Sequence, residues 1–393
     1  MTVALLLCSI PRAGLAQESP WSWTYDGAAF FGLNDQQRKF TDFNVWESQN
    51  WFALTGDRPL GSQNRLIVRS MLSLEPFTLE KLGSPEVFQT GETYKGRPLI
   101  DYQHPHDLLM GLGATYRVEG PRVSYAFSAD LVGSPALGPV PFMHRASGAD
   151  NPTAPLTHHY MDSTHITPGV LTAGVEIHER GGLEPQTLSV EASWFRGEEP
   201  DDDRLNIDRP RLDSWSTRLR WRHGAWDAQV SGAHLHRPEP FELYDMTRLT
   251  ASVAYDGLLA GRQAAWTLSW GENREIHGNL DGYLFEGTIA ATSRGSVYGR
   301  AELVEKDLLN LGGPDPSGFI EFHPISRIGA ITIGYLHDVS RTRWGRVGIG
   351  GDLTTYRVPA NLADSYGSPH SFHLFIRWRA HRSEDHHRGD HVH

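Results

Sequence analysis

The chain has 393 residues, 39% of them hydrophobic, with 36 Lys and Arg against 47 Asp and Glu. A net charge of −11 argues against nucleic acid as a partner, because phosphate binding needs a basic surface. No stretch approaches the ~18 consecutive apolar residues of a membrane-crossing helix, and one cysteine, Cys8, excludes an internal disulfide.

The N-terminus reads as an export signal over 1–16. Val3–Ile10 is a short apolar core, and Gly14-Leu15-Ala16 is a small-residue cleavage site before Gln17. Its removal takes Arg12 and no acid, leaving a charge of −12, and takes Cys8 as well. The exported chain then has no thiol for a disulfide or a thiolate metal site.

From residue 22 onward the dominant signal is period two. Strands are predicted near 22–34, 44–56, 64–75, 107–118, 121–132, 166–179, 185–196, 213–223, 225–236, 245–256, 263–272, 282–292, 296–306, 328–339, 343–356 and 369–379. In 213–223, Trp215, Thr217, Leu219 and Trp221 alternate with Ser214, Ser216, Arg218, Arg220 and Arg222. Arginine on a lipid-facing position costs about 2–4 kcal/mol near the bilayer midplane. That cost sets the register, with the arginines facing a wet lumen. Trp221, Trp226, Trp266, Trp270 and Trp378 suit aromatic girdles at the two interfaces.

The connections alternate in length. Short ones fall at Glu119-Gly120, Arg180–Glu184, Gly224, Gly257–Arg262, Ser293–Gly295 and Ser340–Thr342. Long ones fall at 76–106, 133–165, 197–212, 237–244, 273–281, 307–327 and 357–368. An all-β, antiparallel, up-and-down transmembrane β-barrel of about sixteen strands (fourteen to eighteen) has this pattern, with short periplasmic turns and long outer loops. A sandwich or propeller would lack the systematic alternation, and no internal repeat is present. The barrel is predicted over 17–379, followed by a His-rich tail, 380–393.

Over the mature length the architecture resembles the porin-like outer-membrane barrels of Gram-negative bacteria. The tract FMHRASGADNPTAPLTHHYMDSTHITPGV, residues 142–170, is similar to one in a group of exported barrels associated with heavy-metal resistance. The resemblance implies an outer-membrane location, lipid and lipopolysaccharide contacts, a possible homotrimer, and a third outer loop folded into the lumen as the constriction. Here the third outer loop is 133–165, stiffened by Pro135, Pro139, Pro141, Pro152 and Pro155. One departure stands out: Trp378 is followed by fifteen more residues, whereas such barrels usually end on an aromatic residue of the last strand.

Histidine is over-represented, with 20 in the chain, six of them in 101–165. His104, His106, Met143, His144, His158, His159, Met161 and His165 form a candidate metal-ligating set. Imidazole suits copper and zinc, and thioether favours Cu(I). The alternative is that these groups hold a polar loop together by hydrogen bonds, without metal. The five histidines of 381–393 give the tail a chelating composition. Arg218, Arg220, Arg222, Arg248, Arg300, Glu302 and Arg377 are predicted to line the pore. A ring of arginines favours anions, and inward acids such as Glu191 and Glu302 balance it. The acidic run Glu198-Glu199-Pro200-Asp201-Asp202-Asp203 reads as solvated outer surface, with divalent-cation bridging as the alternative.

No catalytic set is recognisable. Ser163-Thr164-His165 offers a hydroxyl and an imidazole, but there is no nucleophile elbow and no third member. The sequence therefore predicts a passive channel for small polar solutes or ions, with no required cofactor, its bore narrowed by 133–165 and linked to copper or zinc handling. The alternatives are a plugged surface barrel that binds metal or a partner without conducting, and an outer-membrane hydrolase.

Overall fold

The computed structural model describes residues 21–179, 184–239, 244–276, 278–307, 309 and 325–380. The predicted export signal and the tail beyond Ala380 lie outside the described residues.

Sixteen antiparallel strands close into one barrel. They are β1 (Ser22–Arg38), β2 (Thr41–Glu47 continued by Asn50–Leu60), β3 (Asn64–Leu72), β4 (Leu109–Val118), β5 (Val123–Gly133), β6 (Thr167–Glu179), β7 (Gln186–Phe195) and β8 (Ser214–His223). The second half comprises β9 (Trp226–Leu235), β10 (Met246–Leu259), β11 (Arg262–Glu275), β12 (Gly278–Ala290), β13 (Gly295–Lys306), β14 (Ser326–Thr342), β15 (Gly345–Arg357) and β16 (His370–Arg379). Each pairs with its sequence neighbour. The ring is closed by β1 against β16, in register from Ala28↔Arg379 to Gln37↔His370. Closure satisfies every edge, which a wall in lipid requires. Ser48 and Gln49 interrupt β2, and the Phe30 N–H bonds across the gap to the Gln49 carbonyl at 2.8 Å.

The alternation read from sequence is the inside–outside alternation of the wall. On β8, Leu219 is 43% exposed while its neighbours Arg218 and Arg220 are 4% and 7%. On β14, Ile331, Ile333 and Tyr335 face out, and Ala330, Thr332 and Leu336 face in. The outward leucines, isoleucines and aromatics make an apolar belt, as lipid contact demands. Near the short-turn end Trp226 meets Tyr255 and Trp266, at ring separations of 5.1 and 5.4 Å, as an interfacial girdle would.

Short and long connections segregate to opposite ends. Several predicted gaps change: the turn expected at Ser340–Thr342 falls inside β14 and moves to 343–344, and Gly257–Arg262 shrinks to 260–261. Residues 273–281, expected as a long loop, mostly continue β11 and β12, in register from Glu275↔Gly278 inward. Residues 35–43 likewise extend the first hairpin, down to Arg38↔Thr41. Both extensions carry polar residues on both faces, since a strand above the lipid needs no apolar side.

The outer half of the lumen is packed. Val87 and Phe88 from loop 73–108, Leu156, Tyr160 and Met161 from loop 134–166, and Leu362 and Tyr366 from loop 358–369 form one buried cluster. It rests on Leu280, Leu284, Val304, Ile328 and Ala330 of the wall. Phe88 and Tyr366 stack at 4.2 Å.

Candidate functional site: the inserted third loop

The loop leaves β5 at Gly133 and rejoins β6 at Thr167. Its base is pinched by Ser134 Oγ donating to the His165 carbonyl at 3.0 Å. Between these points it crosses the lumen. Asn151 Oδ1 accepts from the Thr153 N–H at 3.1 Å, a side-chain turn. Four residues then form a single helical turn, α1 (His158–Met161).

Wall side chains hold the loop along its length. The Ala136 N–H donates to Ser193 Oγ and the Gly138 N–H to Ser231 Oγ, both at 2.8 Å. Ser147 Oγ lies 2.7 Å from Thr267 Oγ1 and donates to Glu286 Oε1 at 2.9 Å. Thr288 donates to Asp150 at 2.8 Å, and Arg377 pairs with the same carboxylate. Arg300 donates to the carbonyls of Thr153 and Ala154, at 3.2 and 3.0 Å. Glu302 Oε1 accepts from the Thr157 N–H at 3.1 Å. Asn273 reaches the His159 carbonyl, and Arg248 Nη1 donates to Ser163 Oγ at 3.0 Å. At the centre, buried Arg145 joins Asp162 of its own loop to Glu286 of β12.

All the predicted pore-lining residues face inward, but they divide by role. Arg248, Arg300, Glu302 and Arg377 anchor the loop. Arg218 does the same through the Gly138 carbonyl at 3.2 Å, and also pairs with Glu191 at 2.9 Å. Arg220 is paired with Asp227, and Arg222 with Glu176 at 3.0 Å. Arg218, Arg220 and Arg222, with Arg145, His144, Asp227 and Asp256, surround a cavity of about 400 Å³ beneath the loop. Gly224 and Gly257 place it toward the short-turn end.

The predicted metal-ligating set does not converge as one group. Met161 Sδ accepts from Ser269 Oγ at 2.9 Å inside the apolar cluster. Met143 packs with Trp51, Met110 and Phe142. His144 lies edge-on to Trp51 at 4.2 Å, and His104 Nδ1 accepts from Arg204 at 2.9 Å. The other four imidazoles form a row: His106–His165, His165–His158 and His158–His159, at ring separations of 5.3, 5.4 and 5.3 Å. Glu75 holds His106 Nδ1 at 2.8 Å, Asp162 Oδ1 holds His158 Nδ1 at 2.7 Å, and the Asp162 carbonyl holds His165 Nδ1 at 2.8 Å. Such partners fix ring orientation and leave Nε2 as the lone-pair nitrogen. His165 Nε2 is buried with no hydrogen-bond partner among the described residues.

Burial, reinforced by His106 and His158, holds the His165 pKa well below the ordinary imidazole value, so the ring is neutral. Burial alone would raise Asp162, but Arg145 and His158 hold it well below the usual carboxylate range.

Among the described residues, the His/Asp/Glu group whose ligand atoms lie within 4.8 Å of one another is His159, Glu199 and Glu239. Sequence reading missed Glu239 and placed Glu199 on solvated surface. Glu199 is in fact only 8% exposed, turned inward by its N–H bond to the Pro238 carbonyl at 2.8 Å. Asp201, Asp202 and Asp203 are exposed, as expected, while Glu198 is partly buried and pairs with Arg196 and Arg211. Ser163 Oγ is engaged by Arg248 and His165 Nδ1 by a carbonyl, so no nucleophile–base pair forms there.

No protein-family model and no curated protein sequence matches the chain. Its fold is that of solved porins. The anion-selective porin from Comamonas acidovorans aligns over 91% of this chain and 99% of its own, with 12% identity and a TM-score of 0.52. Salmonella typhi OmpF, in complex with daunomycin, aligns over 91% and 97%, with 10% identity and a TM-score of 0.54. Pseudomonas putida OprB aligns over 92% and 94%, with 8% identity and a TM-score of 0.53.

Proposed function

We propose that the chain is a porin-like channel of the Gram-negative outer membrane, passing small polar solutes or ions passively, with loop 134–166 setting the bore. The observation that carries this reading is the cavity of about 400 Å³ under the loop, lined by paired arginines and aspartates. It is a polar vestibule whose roof is the loop itself. Its charges are balanced, Arg220 by Asp227 and Arg222 by Glu176, which favours weak rather than strong anion preference. Lipid and lipopolysaccharide contacts and a homotrimer belong to the same reading.

The packed cluster at the outer end favours a second reading: a plugged barrel that binds a metal ion or a partner without conducting. Planar-bilayer recording of the refolded full chain separates the two. Stepwise conductance that grows when Arg145 is replaced supports the channel. A folded, silent barrel overturns it in favour of the plug.

A further inference from the structure

We infer that His159, Glu199 and Glu239 form a divalent transition-metal site that clamps three outer loops together. His159 comes from loop 134–166, Glu199 from loop 196–213 and Glu239 from the connection after β9. His159 Nδ1 lies 3.7 Å from Glu199 Oε1 and 3.9 Å from Glu239 Oε1. Those separations are too long for hydrogen bonds. They are close to the spacing of two ligands around one cation, since bonds of about 2.0–2.2 Å at tetrahedral angles put donor atoms about 3.4 Å apart. The two imidazole–carboxylate separations need to contract by only a few tenths of an ångström, and all three ligand atoms lie within 4.8 Å of one another.

Burial strengthens the argument. The three residues are 6%, 8% and 9% exposed. Two carboxylates brought together out of water repel each other and call for a positive centre between them. Arg248 is near enough to feel both, and its guanidinium bonds to Asn273 at 2.8 Å and to Ser163. A fourth loop seats the imidazole. Gly91 has a φ of +108°, and a Cβ there would come within 2.6 Å of the His159 ring. That glycine lets the backbone lie flat against the ring and limits its rotation.

One imidazole and two carboxylates select the ion class. Oxygen-only cations such as Ca²⁺ gain little from the nitrogen. Cu(I), the thioether-preferring ion, finds no sulfur here. Mn(II) and Zn(II) fit the mixed donor set. The site takes only His159, the end of the imidazole row, and none of His106, His165 and His158, and it stands whether or not the barrel conducts.

The test uses the refolded full chain, stripped with chelator and titrated with Mn(II), followed by loss of the free Mn(II) electron-paramagnetic signal. Mn(II) is the probe because the imidazole-rich tail binds it poorly. One Mn(II) per chain, displaced by Zn(II), is expected. The Glu199→Gln/Glu239→Gln double variant should weaken it about a hundredfold or more, since losing even an outer-shell partner costs about 10–100-fold. Mn(II) should also slow trypsin cleavage at Arg204 and Arg211 in the wild type but not in the variant. Should the double variant fail the heat-mobility test for a folded barrel, His159→Gln replaces it, with the same loss expected. Mn(II) uptake equal in wild type and folded variant, no uptake by the wild type, or cleavage indifferent to metal overturns the site.

Discussion

Arg145 Nε donates to Glu286 Oε1 across 2.8 Å, and the same guanidinium pairs with Asp162. One side chain thus ties the inserted loop both to itself and to β12. All three residues are buried. Breaking a buried pair by removing one partner costs about 3–5 kcal/mol, because the remaining charge is stranded. Arg145→Ala should therefore release the loop while leaving the wall intact. Larger single-channel conductance and faster proteolysis within 134–166 are expected. Unchanged values for both would show that the loop is held elsewhere.

Acid should loosen the same loop through His165. Its depressed pKa means that the released loop takes up a proton that the docked loop refuses. The docked state keeps this contribution above about pH 6.5, the ordinary imidazole value. It loses the contribution as the pH falls toward the depressed value, at up to about 1.4 kcal/mol per pH unit. Asp162 acts at lower pH, since a carboxylate held below its usual range keeps its contribution until acid reaches that range. Protease sensitivity of the loop should rise between pH 7 and pH 5, and His165→Gln should flatten that rise. An equally steep profile in the variant would assign the effect to another group.

The lipid-facing register is tested by charge. Leu219 faces out and Arg218 faces in. Leu219→Arg should destabilise the vesicle-embedded barrel by about 2–4 kcal/mol, depending on its depth in the bilayer. Urea unfolding followed by tryptophan fluorescence reads this directly. A cost near zero would mean that the assigned face is wrong.

Two glycines with positive φ should behave differently. Gly61, φ +78°, sits in a short turn with nothing near its absent Cβ. Gly61→Ala should cost only the backbone term, about 1–2 kcal/mol. Gly138, φ +71°, would place a Cβ 1.8 Å from the Met161 carbonyl oxygen. Gly138→Ala must also push the loop apart, adding about 1–3 kcal/mol of overpacking. Equal effects in urea unfolding and loop proteolysis would contradict the close approach.

The barrel was legible because lipid imposes a rule on every second residue, as Leu219 and Ile331 show. That rule lapses above the bilayer. Asn273–Glu275 and Asp35–Arg38 therefore looked like loop while being strand. Inward-facing arginines were legible for the same reason, but their partners were not. Arg300 and Arg377 meet backbone and carboxylate groups more than a hundred residues away. His159 was visible by its neighbours in sequence, whereas Glu199 and Glu239 join it only when three loops fold over one mouth. Local sequence carries no trace of that meeting.

The anchors of the inserted loop also order events in time. The loop's hydrogen bonds to the wall run from Ser193 on β7 to Arg377 on β16. All of these wall partners lie later in the chain than the loop. Until the strands that carry them are in place, the loop stays undocked and its Arg145 and Asp162 stay in water. Seam closure between β1 and β16 and the final seating at Arg377 both need the end of the chain. Contacts of such long sequence separation form slowly. Insertion of the loop and sealing of the cylinder are thus late steps that share a strand, and a chain truncated before β16 forfeits both.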